Sequence, residues 1–111
     1  MLTINWTSRE LTKKETYKMT MAPNIQKLSL AKGSVIAVDA ACLYEDVKND
    51  TTSEEILSIM DKDGTCYATN SPTFKKDFQN IINIMDGEDF EIEVISGISK
   101  SGREFITCTL V

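Results

Sequence analysis

The pattern of apolar and polar positions changes character along the chain. Residues 1–15 show weak periodicity and many polar groups, which predicts a loose arm. Residues 16–20 read as a short strand. Residues 21–31, with Ile25, Leu28 and Leu30 apolar behind Pro23, read as a turn of helix or a tucked loop. From Gly33 the signals strengthen. Residues 34–47 are rich in Val, Ile, Ala and Tyr and carry no helix caps, which predicts a long strand. In a regular strand Ile36, Val38, Ala40, Cys42 and Tyr44 share one face, and Val35, Ala37, Ala41 and Leu43 the other. A strand apolar on both faces suits a bent barrel strand, and the small Ala40 and Ala41 ease the bend. Asn49-Asp50-Thr51-Thr52 is a polar turn cluster. Residues 55–60 and 65–69 are two further strands, joined by Asp61-Lys62-Asp63-Gly64, a tight hairpin in which Gly64 supplies a positive φ.

The clearest pattern follows. Ser71 is a good N-cap and Pro72 suits the first helical position. Phe74, Phe78, Ile81, Ile82 and Met85 then form one apolar stripe at helical spacing, and Gly87 ends the helix. Residues 90–98 and 103–110 are strands joined by the turn Ser99-Lys100-Ser101-Gly102. The element order is β-β-β-α-β-β with a long first strand, the order of the oligonucleotide-binding (OB) barrel. The expected architecture is therefore mainly β: a five-stranded OB-like barrel over residues 33–111, with one helix between strands 3 and 4. Residues 1–32 form an N-terminal arm with short strand and turn elements.

Composition removes several function classes. With 41% apolar and 26% charged residues in 111, the chain has an ordinary globular balance, so disorder and collagen are poor readings. No apolar run is long enough to span a bilayer. The start, Met1-Leu2-Thr3-Ile4-Asn5-Trp6, has no basic segment followed by an apolar core, so no secretory signal is expected and the cytoplasm is the expected compartment. There is no histidine, which removes His-based triads and His metal ligands. Cys42, Cys66 and Cys108 form no CxxC pair and read as small hydrophobes. Asp61-Lys62-Asp63-Gly64 starts like a calcium loop but lacks the later ligands. The acidic pairs Glu54-Glu55 and Glu88-Asp89 point to opposite faces and have no polar company. No catalytic residue, metal site or cofactor is expected.

Charge is unevenly spread. The net charge is −5, but residues 1–32 carry six basic and two acidic residues, a balance of +4, whereas residues 33–111 stand at −9. Basic arms often meet polyanions. An acidic protein still binds nucleic acid when its basic residues share a face.

Four stretches carry a resemblance: Thr16-Tyr17-Lys18-Met19-Thr20, residues 32–47, Tyr67-Ala68-Thr69-Asn70-Ser71-Pro72-Thr73-Phe74, and Ile98-Ser99-Lys100-Ser101-Gly102-Arg103-Glu104-Phe105. Together they resemble the small single-stranded DNA-binding proteins of phages and related mobile elements of Gram-positive bacteria. The resemblance spans residues 16–110 and rests on general texture. It implies an OB barrel that coats exposed single strands during replication or recombination. The chain departs from cellular single-strand binders in ending on Leu110-Val111 rather than on an acidic recruiting tail.

Single-strand binding needs cations that track phosphates and aromatic faces that stack on bases. The candidate stacking residues are Tyr17, Tyr44 and Tyr67, together with Trp6, which could equally seal a barrel end. The candidate phosphate contacts are Lys13, Lys14, Lys18, Lys62, Lys100 and Arg103. Phe74, Phe78, Phe90 and Phe105 read as core, and Lys75 and Lys76 as helix solvation. The expected partner is single-stranded DNA, with RNA a second candidate ligand, self-association and replication or recombination proteins further candidates, and no membrane. The rival reading is a small acidic inhibitor or adaptor that docks on a host protein, as a DNA mimic or anti-defence factor.

Overall fold

The computed structural model describes residues 2–46 and 54–111, so the expected turn at 49–52 and the last residue of the expected long strand lie outside the described residues. In chain order the elements are β1 (Leu2–Thr7), α1 (Lys13–Thr20), β2 (Gln26–Lys27), a single 3-10 turn (Leu28–Leu30), β3 (Val35–Asp46), β4 (Glu55–Asp61), β5 (Cys66–Thr69), α2 (Pro72–Met85), β6 (Phe90–Ile98) and β7 (Glu104–Leu110). The strands form a single sheet in the order β2-β5-β4-β3-β6-β7, with β1 paired to β3 as well. All pairings are antiparallel except the short β2–β5 contact.

β3 organises the sheet. Its first part, residues 35–38, pairs with β6, and further along the same edge residues 42–46 pair with β1. Its other edge carries β4. The register with β4 shifts between Val38 and Ala40, where two steps along β3 match the single step from Asp61 to Met60. This is a β-bulge, and one extra residue moves every following side chain to the opposite face. The regular alternation expected from the sequence is corrected accordingly. Ile36 and Val38 share a core with Ala41 and Leu43, whereas Ala40, Cys42 and Tyr44 enter a different one. β1 behaves likewise: its register shifts between Ile4 and Trp6, so Leu2 packs on the second core and Trp6 on the first.

The first core lies on the concave side of the sheet, under α2. Phe74, Phe78 and Ile81 meet Val38, Leu57, Ile92, Val94 and Ile106 there. The Ser71 hydroxyl accepts from the Phe74 N–H at 3.3 Å, Pro72 opens α2, and Asp86 (φ 46) and Gly87 (φ 88) turn the chain out of it. The second core lies on the opposite face, under α1, and holds Met19, Ala40, Cys42, Tyr44, Met60 and Cys66.

Three further expectations need correction. Residues 1–15 are not a loose arm: Leu2–Thr7 is β1, held by an antiparallel pairing with β3 that local periodicity does not reveal, and α1 begins at Lys13. Residues 16–20 are helix, not strand. Thr12 and Glu15 form a reciprocal capping box, with the Glu15 N–H donating to Thr12 Oγ1 at 3.1 Å and the Thr12 N–H donating to Glu15 Oε1 at 2.9 Å. That local chemistry outweighs the strand preference of Thr16, Tyr17 and Thr20. The five strands expected in residues 33–111 are β3 to β7, with α2 between the third and fourth, and the arm adds β1 and β2 to the same sheet. The expected closure into a barrel is not seen: among the described residues no ladder joins β7 to β5 or β2. The sheet is a curled half-barrel with a seam. Side chains bridge that seam: Ser71 Oγ stands 3.5 Å from the Ile106 carbonyl, Lys32 pairs with Glu104, and Thr107 donates to Asp77 on α2. β1 fills the edge that β3 would expose once it leaves β6.

Ser58, on β4, is wholly buried, and its hydroxyl has no hydrogen-bond partner among the described residues. A buried polar atom left unpaired costs about 1–3 kcal/mol. Ser58→Ala is expected to raise unfolding stability by roughly 1 kcal/mol, read as a higher urea midpoint at unchanged m-value. Phe78→Ala, by contrast, should cost about 3–5 kcal/mol in the same assay.

Candidate nucleic-acid interface

The N-terminal residues are fastened by one guanidinium. Arg9 follows β1, where Ser8 exchanges hydrogen bonds with Ala41: its N–H donates to the Ala41 carbonyl at 2.9 Å and its Oγ accepts from the Ala41 N–H at 2.8 Å. Arg9 donates to both oxygens of Glu15, at 3.2 and 2.8 Å, and to Asp39 Oδ2 at 3.1 Å. Asp39 stands at the bulge of β3, so the extra residue turns a carboxylate toward this guanidinium. The Arg9 hydrogen bonds and the Thr12 N–H hold the Glu15 carboxyl down at about 2, and the carboxylates of Glu15 and Asp39 in turn raise Arg9.

This anchoring presents α1 as a cationic ridge. Lys13 and Lys14 are exposed and Lys18 is half-buried. Lys14 and Lys18, one helical turn apart, line a groove of about 330 Å³ together with Lys62 and Gly64 of the β4–β5 hairpin. Gly64 has φ +88, as the turn requires, and a Cβ there would meet Lys18 Nζ at 2.5 Å. The hairpin leaves the ammonium room that any other residue would take. The groove also holds Glu15, Asp39, Asp61 and Asp63. Arg9 occupies the first two. Asp61 Oδ1 accepts from the backbone N–H groups of Asp63 (2.9 Å) and Thr65 (2.8 Å). Lys62 Nζ lies 3.0 Å from Asp89. Among the described residues, Lys13, Lys14 and Lys18 have no carboxylate at ion-pair distance.

The four candidate rings are separated by burial. Tyr17 is 57% exposed on α1, beside the lysines. Tyr67, on β5, is half-buried against the first core, and burial together with the Asp61 carboxylate raises its phenol. Trp6 is half-buried against the same core. Tyr44 is 5% exposed in the second core, with its hydroxyl 3.4 Å from the Thr20 carbonyl. Both of its ring faces are therefore packed, and the structure takes it out of the exposed set. The bulge is the cause, since it turns Tyr44 under α1.

Lys100 and Arg103 are exposed on the β6–β7 turn and do not line the α1 groove. That turn adjoins a second groove, of about 600 Å³, along the seam between β5 and β7. Lys27, Asn70 and Phe105 line it, and the sequence pattern had assigned none of them to a site. A signal was present: Gly97 and Phe105 fall opposite each other across the 99–103 turn. Lys75, read as solvation, instead donates to the Glu55 carbonyl at 3.0 Å and ties α2 to β4. Among the described residues no group of three or more Cys, Asp or Glu could hold a metal, and no helix is long and apolar enough to cross a membrane.

The phage single-stranded DNA-binding protein family of the Phi29 type matches residues 6–111. The chain belongs to this family. No curated protein and no solved structure matches it. The match takes in β3 to β7, both helices and all the candidate site residues from Trp6 to Arg103. It is a DNA-binding family rather than a class of enzyme, and single-stranded DNA is the partner it supports.

Glu15 links this interface to pH. Its folded-state value, about 2, lies below the ordinary 4.5. The stability it contributes is therefore complete above pH 4.5 and is lost as pH falls toward 2. In Glu15→Gln, unfolding monitored by circular dichroism should show a flatter acid limb over that window and lower stability at neutral pH.

Proposed function

We propose that the protein coats single-stranded DNA without sequence preference and serves phage or mobile-element DNA replication or recombination in the cytoplasm of the host cell. The observation that carries this reading is the family match over nearly the whole chain. In it, Lys13, Lys14 and Lys18 neutralise phosphates along the α1 ridge, Lys62 of the β4–β5 hairpin does so by exchanging its exposed Asp89 partner for a phosphate, and Lys100 and Arg103 act at the β6–β7 turn. Tyr17 and the open side of Tyr67 stack on bases, while Trp6 and Tyr44 brace the face from beneath. Stacking is indifferent to base identity because every base has a π-face, which fits a protein that must cover any sequence. The free cations on α1 support this assignment, since the neighbouring carboxylates Glu15 and Asp39 are already held by Arg9.

Titration of a fluorescent oligothymidylate at low and high salt tests the proposal. Binding at low salt that weakens as salt rises is expected, with log affinity falling by roughly 0.7 per phosphate contact for each decade of salt. Lys14→Ala combined with Lys18→Ala should flatten that slope by roughly 1.4. Absence of binding at low salt overturns the proposal.

A further inference from the structure

The groove along the seam contains an aromatic ring seated in an unusual way. Phe105 on β7 pairs across the ladder with Gly97 on β6. A Cβ at Gly97 would lie 2.7 Å from Phe105 Cζ and 3.1 and 3.3 Å from its two Cε atoms. The far end of the ring therefore lies over the bare backbone of Gly97. Gly97 is within a strand and has no positive φ, so its backbone conformation does not call for glycine. The ring does. This contact supports Phe105 from below and fixes its orientation, yet the residue is only half-buried and forms part of the groove wall.

Of the two groove carboxylates, Glu104 is paired with Lys32, whereas Glu54 accepts from the neutral Asn70 Nδ2 at 3.1 Å and keeps its charge, so a phosphate in this groove depends on Lys27. Lys27, on the opposite wall, is exposed and has no carboxylate at ion-pair distance among the described residues. One supported aromatic face and one free ammonium border a space of about 600 Å³. A nucleotide combines the two groups these would receive, a flat base and a phosphate.

We propose that Phe105 is a base-stacking platform and Lys27 a phosphate contact for one nucleotide of the bound strand, seated in the seam groove. This rests on the single-stranded DNA-binding reading above and adds to it a site that shares no lining residue with the α1 groove. Gly97 is the positioning residue that lets the ring lie flat.

The test compares oligothymidylate binding by the full chain and four variants, with thermal melts as folding controls. Phe105→Leu keeps apolar volume and removes the π-face; affinity should fall about fivefold to a hundredfold while the melt is retained. Gly97→Ala keeps the ring but displaces it, and should weaken binding in the wild-type background. Added to Phe105→Leu, Gly97→Ala should have no further effect, which a merely structural role for Gly97 does not predict. Lys27→Ala should flatten the salt slope by roughly 0.7. Wild-type affinity in folded Phe105→Leu overturns the inference and leaves the wider reading standing. If Phe105→Leu does not fold, unchanged affinity in Gly97→Ala overturns it. Failure of the wild-type chain to bind overturns both.

Discussion

One extra residue in one strand sets the layout of this molecule. β3 runs through the middle of the sheet, and the bulge between Val38 and Ala40 reverses the sense of its alternation. Upstream, its buried side chains feed the core under α2. Downstream, Ala40, Cys42 and Tyr44 feed the core under α1. A strand with an uninterrupted pleat could not place Ile36 and Ala41 in the same core. The bulge also fixes Asp39, and through it the Arg9 guanidinium and the capping carboxylate of α1. Backbone irregularity, helix placement and surface charge are thus linked through a few residues.

That linkage explains which parts of the chain could be read in advance. α2 announced itself because cap, proline, stripe and stop all agree within one stretch. The β4–β5 hairpin was legible from Gly64, and the start of β6 shows Phe90, Ile92 and Val94 alternating with Glu91 and Glu93. The bulge was not legible, because β3 is apolar on both faces and either phase of alternation satisfies its sequence. β1 was missed for a different reason: its partner lies some forty residues away, and weak local periodicity carries no trace of such a pairing. The capping residues Thr12 and Glu15 were visible in the sequence, but α1 buries only Met19 fully and so lacks a stripe that would have drawn attention to it. At the site, the lysines of α1 were identified by charge alone. The fate of Tyr44 followed the bulge and could not be read from charge or aromaticity.

The electrostatic arrangement reconciles a net charge of −5 with an anionic partner. Several carboxylates near the cations are committed within the fold: Glu15 and Asp39 to Arg9, Glu104 to Lys32, Asp61 to its own turn. Exposed acids repel a strand at a distance, but a screened field decays within about 10 Å at moderate salt, and close contacts are then decided by the unpaired ammonium groups. Local pairing, rather than the overall sign, decides where a polyanion can settle.

The three cysteines bear on how the two layers open. Burial pushes the Cys42 thiol up to about 11 and the Cys108 thiol up to about 12, and raises Cys66 as well. At neutral pH all three stay in the unreactive protonated form. Cys42 and Cys66 lie beneath α1, whereas Cys108 belongs to the opposite layer. Alkylation of the first two must wait for the helix to lift from the sheet, and alkylation of the third for the other side to part. Each layer thus carries its own thiol clock, and comparing the two rates tells whether the layers open together or one at a time.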